Sequence, residues 1–195
     1  NDTFSAVEGA NPSDNFGAIL AVADYLSRCR VAEGRQPLVM RDVLTAAIKA
    51  YEVQGVLQLE NSFVSYDYIF LTRIAATAVV TKMLGGSRDQ VLSALSNAWV
   101  DGVNLKVYRQ DENTGSRKGW AAGDCARRAV TLGLMAARGE MGYPTALTAR
   151  RYGFYEVFFG GGKFNPETAL NPGGTYKQAK TAFGDISRDA ADIGR

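Results

Sequence analysis

The residues best suited to chemistry in this chain are two adjacent cations, Arg117 and Lys118, which follow Thr114-Gly115-Ser116 at what the spacing reads as a helix entrance. A guanidinium, an ammonium and the unbonded amides of a first helical turn together favour an anion, and a carboxylate is the simplest one. The structural alternative is a pair of solvated charges in a polar loop. Asn11 can hydrogen-bond a ligand but cannot take up a proton at neutral pH, and it equally suits an Asx-type turn before Pro12. Tyr68 can donate a phenolic proton, but with an ordinary pKa of ~10 it is a poor base unless a cation stands beside it. Core packing is its competing role. Trp99, Trp120, Tyr143 and Phe154 could each wall a pocket or fill the core, and Asp124 could reach Lys118 or pair with Arg127 or Arg128. Histidine is absent, which removes the commonest metal ligand and the side chain best matched to acid–base work near neutrality.

Those groups must be positioned by a small fold. A length of 195 residues allows one compact domain, or one with a tail, and 46% hydrophobic against 22% charged residues is enough to fill a core. Lys+Arg (22) against Asp+Glu (20) leaves a charge of +2, which argues against a nucleic-acid binder. Cys29 and Cys125 sit far apart in alanine-rich stretches, as free thiols would, and point to a reducing compartment. Apolar runs fall short of the ~18–20 residues a membrane span needs, and no signal-peptide pattern opens the chain. The expectation is a soluble intracellular protein, cytoplasmic or of the mitochondrial matrix.

Apolar periodicity predicts five long helices. The first runs from Ser13 to about Glu33 through Ile19, Val22, Leu26 and Cys29. The second carries Leu38, Met40, Val43, Leu44, Ala47, Ile48 and Tyr51 towards Gln58. Tyr66 to Leu84, apolar on nearly all sides and containing Ala75, Ala76 and Ala78, reads as a central buried helix. Ser87-Arg-Asp-Gln90 has the spacing of a capping box and opens a fourth, which reaches Asp101. Residues 102–118 lose the pattern and form a polar loop, after which a small-residue face, Ala122, Ala126, Ala129, Gly133 and Ala136, marks a fifth from near Trp120 to Gly139. A shorter amphipathic helix is expected from Thr145 through Phe158. Gly/Pro-rich composition then sets off 160–195 as a tail to a helical domain of residues 1–159.

Five segments stand in an order that identifies a lineage: Asn11-Pro-Ser-Asp-Asn15, Glu60-Asn-Ser-Phe63, Asn113-Thr-Gly-Ser-Arg-Lys118, Trp120-Ala-Ala-Gly-Asp124 and Gly139-Glu-Met-Gly-Tyr-Pro-Thr-Ala-Leu-Thr148. From about Asn1 to Phe159 the chain resembles the 2-methylcitrate dehydratase branch of the MmgE/PrpD family, which also includes cis-aconitate decarboxylase. The resemblance implies an all-α helical bundle, normally accompanied by a smaller α/β lid domain most of which has no counterpart here. It also implies removal of water or carbon dioxide from citrate-like acids, with neither metal nor cofactor. Asp2 and Thr3 match an Asp-Thr segment near the family's pocket, and Ser13, Arg117 and Trp120 fall in or beside its motifs as substrate-binding candidates. Lys118, Asp2 and Tyr68 are the catalytic candidates.

The family's histidine positions are filled differently. Asn11 stands before Pro-Ser-Asp-Asn, Tyr68 after Asp67, and Gln110 in the 102–112 loop, where the resemblance places histidines. Dehydration needs a base beside a carboxylate, an acid for the departing hydroxyl, and cations or N–H donors for the growing charge. Only the last is plainly retained. The resulting expectation is a divergent lyase- or cyclase-type enzyme acting on a small carboxylated molecule, and a homodimer. The alternative is a catalytically inactive relic that binds a ligand or a partner.

Overall fold

The structure is a computed structural model that describes residues 4–5, 9–60, 63, 66–160, 180–181 and 184–185. Asp2, Thr3 and most of the 160–195 segment lie outside the described residues. Five helices dominate, α1 (Phe16–Ala32), α2 (Met40–Glu60), α3 (Ile69–Met83), α4 (Arg88–Val100) and α5 (Arg117–Ala137), and the fold is the helical bundle the sequence implies. Three antiparallel pairs of two-residue strands were not legible in the periodicity: β1 (Phe4–Ser5) with β2 (Gly9–Ala10), β3 (Tyr66–Asp67) with β4 (Asn104–Leu105), and β5 (Lys180–Thr181) with β6 (Gly184–Asp185).

Helix α3 is the axis of the molecule. Every residue from Ile69 to Thr81 is buried, and α1, α2, α4 and α5 all pack on it. A helix buried on every side must present small or self-satisfied side chains to close neighbours, and α3 does both. Ala75, Ala76 and Ala78 supply no bulk, while Thr81 Oγ1 donates 2.6 Å to the Thr77 carbonyl. Against this face α5 turns Ala126, Ala129, Gly133 and Ala136. A methyl on Gly133 would lie 3.0 Å from Thr81 Oγ1, so glycine there sets the separation of the two helices.

Local chemistry ends the helices where it should. Ser87 accepts from the Gln90 amide, and the Gln90 side chain accepts from the Ser87 amide, so both halves of the capping box that opens α4 are formed. Gly139, at φ +94°, closes α5 in the left-handed region, with the Glu140 amide donating 3.0 Å to the Met135 carbonyl.

Two expectations are corrected. The apolar set on α2 splits: Val43, Ala47, Ala50, Val53 and Leu57 enter the core, whereas Met40, Leu44 and Ile48 lie on the outer surface. Residues 145–158 are mostly turns, helical only at 154–155 before a π-turn at Glu156–Gly160. The Phe154 and Tyr155 amides donate to Ala146 and Leu147, eight residues back rather than four. That reversal drives Phe154 into the aromatic core, 4.7 Å centroid to centroid from Trp99 and 6.4 Å from Phe70. Trp99 and Phe154 are therefore core, and Trp120 and Tyr143 are exposed.

The turn after α5 lies so close to α4 that a methyl on Gly142 would sit 2.4 Å from Ser93 Cα and 2.7 Å from Ser96 Oγ. Gly142→Ala should therefore lower stability by about 1–3 kcal/mol. A chemical-denaturation midpoint equal to that of the parent chain would contradict this packing.

Candidate active site

The polar centre of the molecule is built on Asp67, the last residue of β3 and fully buried. An unpaired carboxylate could not remain charged there, and its neighbours account for its position. Arg109 Nε donates to Asp67 Oδ2 at 2.6 Å, the Tyr108 hydroxyl donates to the same oxygen, and the Ile69 amide donates to Oδ1 at 3.2 Å. Arg109 and Tyr108 belong to a 3₁₀ turn, Val107–Arg109, just beyond β4. Pairing of β3 with β4, Asp67 opposite Asn104, brings that turn to the carboxylate.

The β4 strand is itself anchored from below. Arg73, buried in α3, donates to the Ala98 carbonyl, the Gly102 carbonyl and Asn104 Oδ1, which ties the end of α4 and the start of β4 to the central helix. Burial pulls the Arg73 guanidinium below its usual pKa despite the Asp101 carboxylate 3.9 Å away. Asp101 in turn pairs with Arg128 at 2.7 Å, and Asp124 pairs with Arg127 at 2.9 Å. Asp124 thus takes the structural role, on a half-exposed face rather than a buried one.

Tyr68 follows Asp67 and enters a second interaction. Its hydroxyl donates 3.2 Å to Asp14 Oδ2 on the 3₁₀ turn Pro12–Asn15, and the Arg109 guanidinium lies 5.2 Å from its ring centre. The turn is fixed by Asn15, fully buried, whose amide nitrogen donates to the Pro12 carbonyl at 2.8 Å and to Gln54 Oε1 at 2.7 Å. Burial and then the Asp14 charge raise the Tyr68 phenol well above its ordinary value, against the pull of Arg109. Tyr108 is pushed up to about 12, by burial first and then by its bond to Asp67. For Arg109, burial works against the charge, yet the Asp67 hydrogen bond and charge leave it above its usual value. Both phenols are held as proton donors.

From Tyr68 a ladder of alternating rings and guanidinium groups runs to α5. Arg109 lies 5.2 Å from the Tyr68 and Tyr108 ring centres, and Arg117 lies 5.3 Å from Tyr108 and 4.4 Å from Trp120. The ladder holds three of the candidates, Tyr68, Arg117 and Trp120, and the Tyr68–Asp14 bond ties it to the turn that follows Asn11, where the Asp14 amide donates 3.0 Å to the Asn11 carbonyl. Ser13 lies in the same turn, partly buried. Lys118 is exposed on the first turn of α5. Asp67, Tyr108, Arg109 and Gln54 were missed by residue-level reading. A lone carboxylate leading into the apolar run 69–71 was the one available signal, since a charge there requires a partner.

A separate cavity of about 470 Å³ lies along α2, lined by Phe4, Leu44, Ile48, Tyr51 and Leu59 among others, with Glu52 as its one charged side chain. It shares no lining residue with the Asp67 cluster. No helix among the described residues is long and apolar enough to cross a membrane.

Comparison with known proteins gives a consistent lineage. The model of the MmgE/PrpD N-terminal domain matches residues 1–167. The chain is 54% identical over 185 residues to a 2-methylcitrate dehydratase of Escherichia coli K12, covering 94% of this chain and 38% of that protein. To a 2-methylcitrate dehydratase of Cupriavidus necator it is 54% identical, over 90% of this chain and 36% of that one. A mitochondrial 2-methylcitrate dehydratase of Yarrowia lipolytica is 49% identical over 94% of the chain and 35% of its own length. The chain thus spans less than two fifths of the length of these curated relatives.

The raised phenols fix the sign of an alkaline transition. A group whose pKa is higher in the fold stabilises it fully below its unfolded value, and the contribution is lost as pH rises towards the folded value. The thermal midpoint should hold from about pH 7 to about pH 9 and fall between about 10 and 12, less steeply in Tyr108→Phe than in the parent. Equal slopes in the two proteins, followed by circular dichroism, would contradict the Tyr108–Asp67 bond.

Proposed function

The chain belongs to the MmgE/PrpD family, and from that premise we propose that it serves a lyase- or cyclase-type reaction on a small, citrate-like carboxylic acid. Its dehydratase-like ancestry is plain from the identities above. The observation that carries the proposal is the Tyr68–Asp14 hydrogen bond beside Arg109, a proton donor and a proton acceptor joined in one pair where no histidine exists in the chain.

In this reading Lys118 and Arg117 hold substrate carboxylates, Asn11 and Ser13 orient the substrate through hydrogen bonds, and Trp120 forms a wall. The Asp14 carboxylate takes the proton next to a carboxylate, and the Tyr68 phenol gives its proton to the departing hydroxyl. The proton on Asp14 then returns to the Tyr68 phenolate along their hydrogen bond, which restores both groups and releases water. Arg109 steadies the transient phenolate. Asp2 and Thr3 are proposed, on the family match alone, to orient the substrate hydroxyl. No metal, cofactor or nucleic acid enters this scheme, and its setting would be the cytoplasm or the mitochondrial matrix.

One observation favours a second reading, a relic that binds a ligand or partner without turnover. Burial and the Asp14 charge both raise the Tyr68 phenol above its ordinary value, which disfavours release of its proton. The readings separate when the chain is incubated with 2-methylcitrate and with citrate. Calorimetry reports binding and nuclear magnetic resonance reports a new alkene.

Turnover is expected, with Tyr68→Phe and Asp14→Asn each lowering kcat by about 10²–10⁴ and leaving KM nearly unchanged. Binding without an alkene would support the relic instead. A homodimer also belongs to this reading, because Met40, Leu44 and Ile48 are 68%, 50% and 67% exposed on the outer face of α2. Light scattering at micromolar concentration should give twice the chain mass, and a monomer alone would contradict it.

A further inference from the structure

We propose that Gln54 and Gln58, inside the bundle, form a binding site for water that joins α2 to the Pro12–Asn15 turn. The inference goes beyond the function proposed above and does not rest on it.

Both glutamines lie on the core face of α2 among Ala50, Val53 and Leu57, and like Asn15 and Thr72 they have no solvent exposure. Amides in such a place must find partners, and their hydrogen bonds can be counted group by group. Asn15 Nδ2 has two protons, and both are used, one on the Pro12 carbonyl at 2.8 Å and one on Gln54 Oε1 at 2.7 Å. Thr72 Oγ1 donates to the same Gln54 oxygen at 3.4 Å. These bonds fix which end of each amide is nitrogen, since a reversed Asn15 would set an oxygen against the Pro12 carbonyl. Left without a partner among the described residues are Asn15 Oδ1, Gln54 Nε2 and both polar atoms of Gln58.

Four such atoms on three neighbouring side chains point to a ligand, because buried polar groups that protein does not satisfy are served by ordered water. The unused set decides the chemistry. It holds acceptors on Asn15 and Gln58 and donors on Gln54 and Gln58, so the ligand must both donate and accept. An anion would leave the carbonyl oxygens unserved, and a cation the amide protons. The groups already bonded to this cluster, the Thr72 hydroxyl and the Pro12 carbonyl, are neutral as well. Zero exposure admits nothing larger than water without opening the bundle.

Helical spacing agrees with this. Residues four apart on a helix have their Cβ atoms about 5–6 Å apart, a span that one water closes with two hydrogen bonds of about 2.9 Å. Water that accepts from Gln54 Nε2 and donates to Asn15 Oδ1 gives α2 a second link to the turn, beside the direct Asn15–Gln54 bond.

The test uses the full 195-residue chain in nuclear magnetic resonance. The side-chain amide protons of Gln54 and Gln58 should give cross-peaks to water of opposite sign in laboratory-frame and rotating-frame Overhauser spectra, the mark of a bound molecule rather than of proton exchange. Gln58→Met, which keeps the volume of the side chain and removes its polar atoms, supplies a second measurement. If Gln58 holds water, the substitution strands that water and lowers the thermal midpoint by at least about 2 °C. If Gln58 is merely unpaired, the substitution removes a penalty and raises the midpoint. Water cross-peaks at both amides together with the lowered midpoint establish the site. Absence of those cross-peaks at either amide, or an unchanged or raised midpoint, overturns it, and neither result bears on the lyase reading.

Discussion

The Asp67 carboxylate is fully buried, and three donors converge on it, Arg109 Nε and the Tyr108 hydroxyl from one distant turn and the Ile69 amide from the start of α3. A buried ion pair of this kind need not add net stability over an apolar replacement, but losing one partner leaves a charge that costs about 3–5 kcal/mol. Its value is positional. It fixes the loop between α4 and α5 over the start of α3, and both Tyr68 and Arg117 pack against side chains of that loop.

The same constraint divides the arginines by role. Arg73 spends its donors on carbonyls at the end of α4 and on Asn104, and so holds the frame on which β4 meets β3. Arg109 joins the frame to the site, because one guanidinium contacts Asp67, Tyr68 and Tyr108. Arg117 ends the series with rings for neighbours and no acid among the described residues. Charge is thus paired in the interior, while Arg117 at the edge is held by rings.

Much of this fold could be read from residue spacing, because long amphipathic helices and a capping box depend on neighbours three or four positions away. The five helices, the buried character of α3 and the box at Ser87 and Gln90 are local facts of that kind. Residues 145–158 defeat the same reasoning, since amides of Phe154 and Tyr155 bond eight residues back to let an aromatic ring reach Trp99. The site follows the same division. Tyr68, Arg117 and Trp120 were legible as chemistry-bearing types, whereas Asp67, Tyr108, Arg109 and Gln54 acquire their roles from partners 39 to 42 residues distant. Spacing within one helix holds no trace of such pairings.

If Asp67 organises the site through Arg109, the two residues must be energetically coupled. A double-mutant cycle on thermal and denaturant stability, with Asp67→Asn, Arg109→Met and the pair, measures that coupling directly. The account predicts that the double variant is more stable than the sum of the single losses by more than about 1 kcal/mol, within the usual range for contacting residues. Additive losses would mean that the carboxylate and guanidinium act independently, and would contradict it.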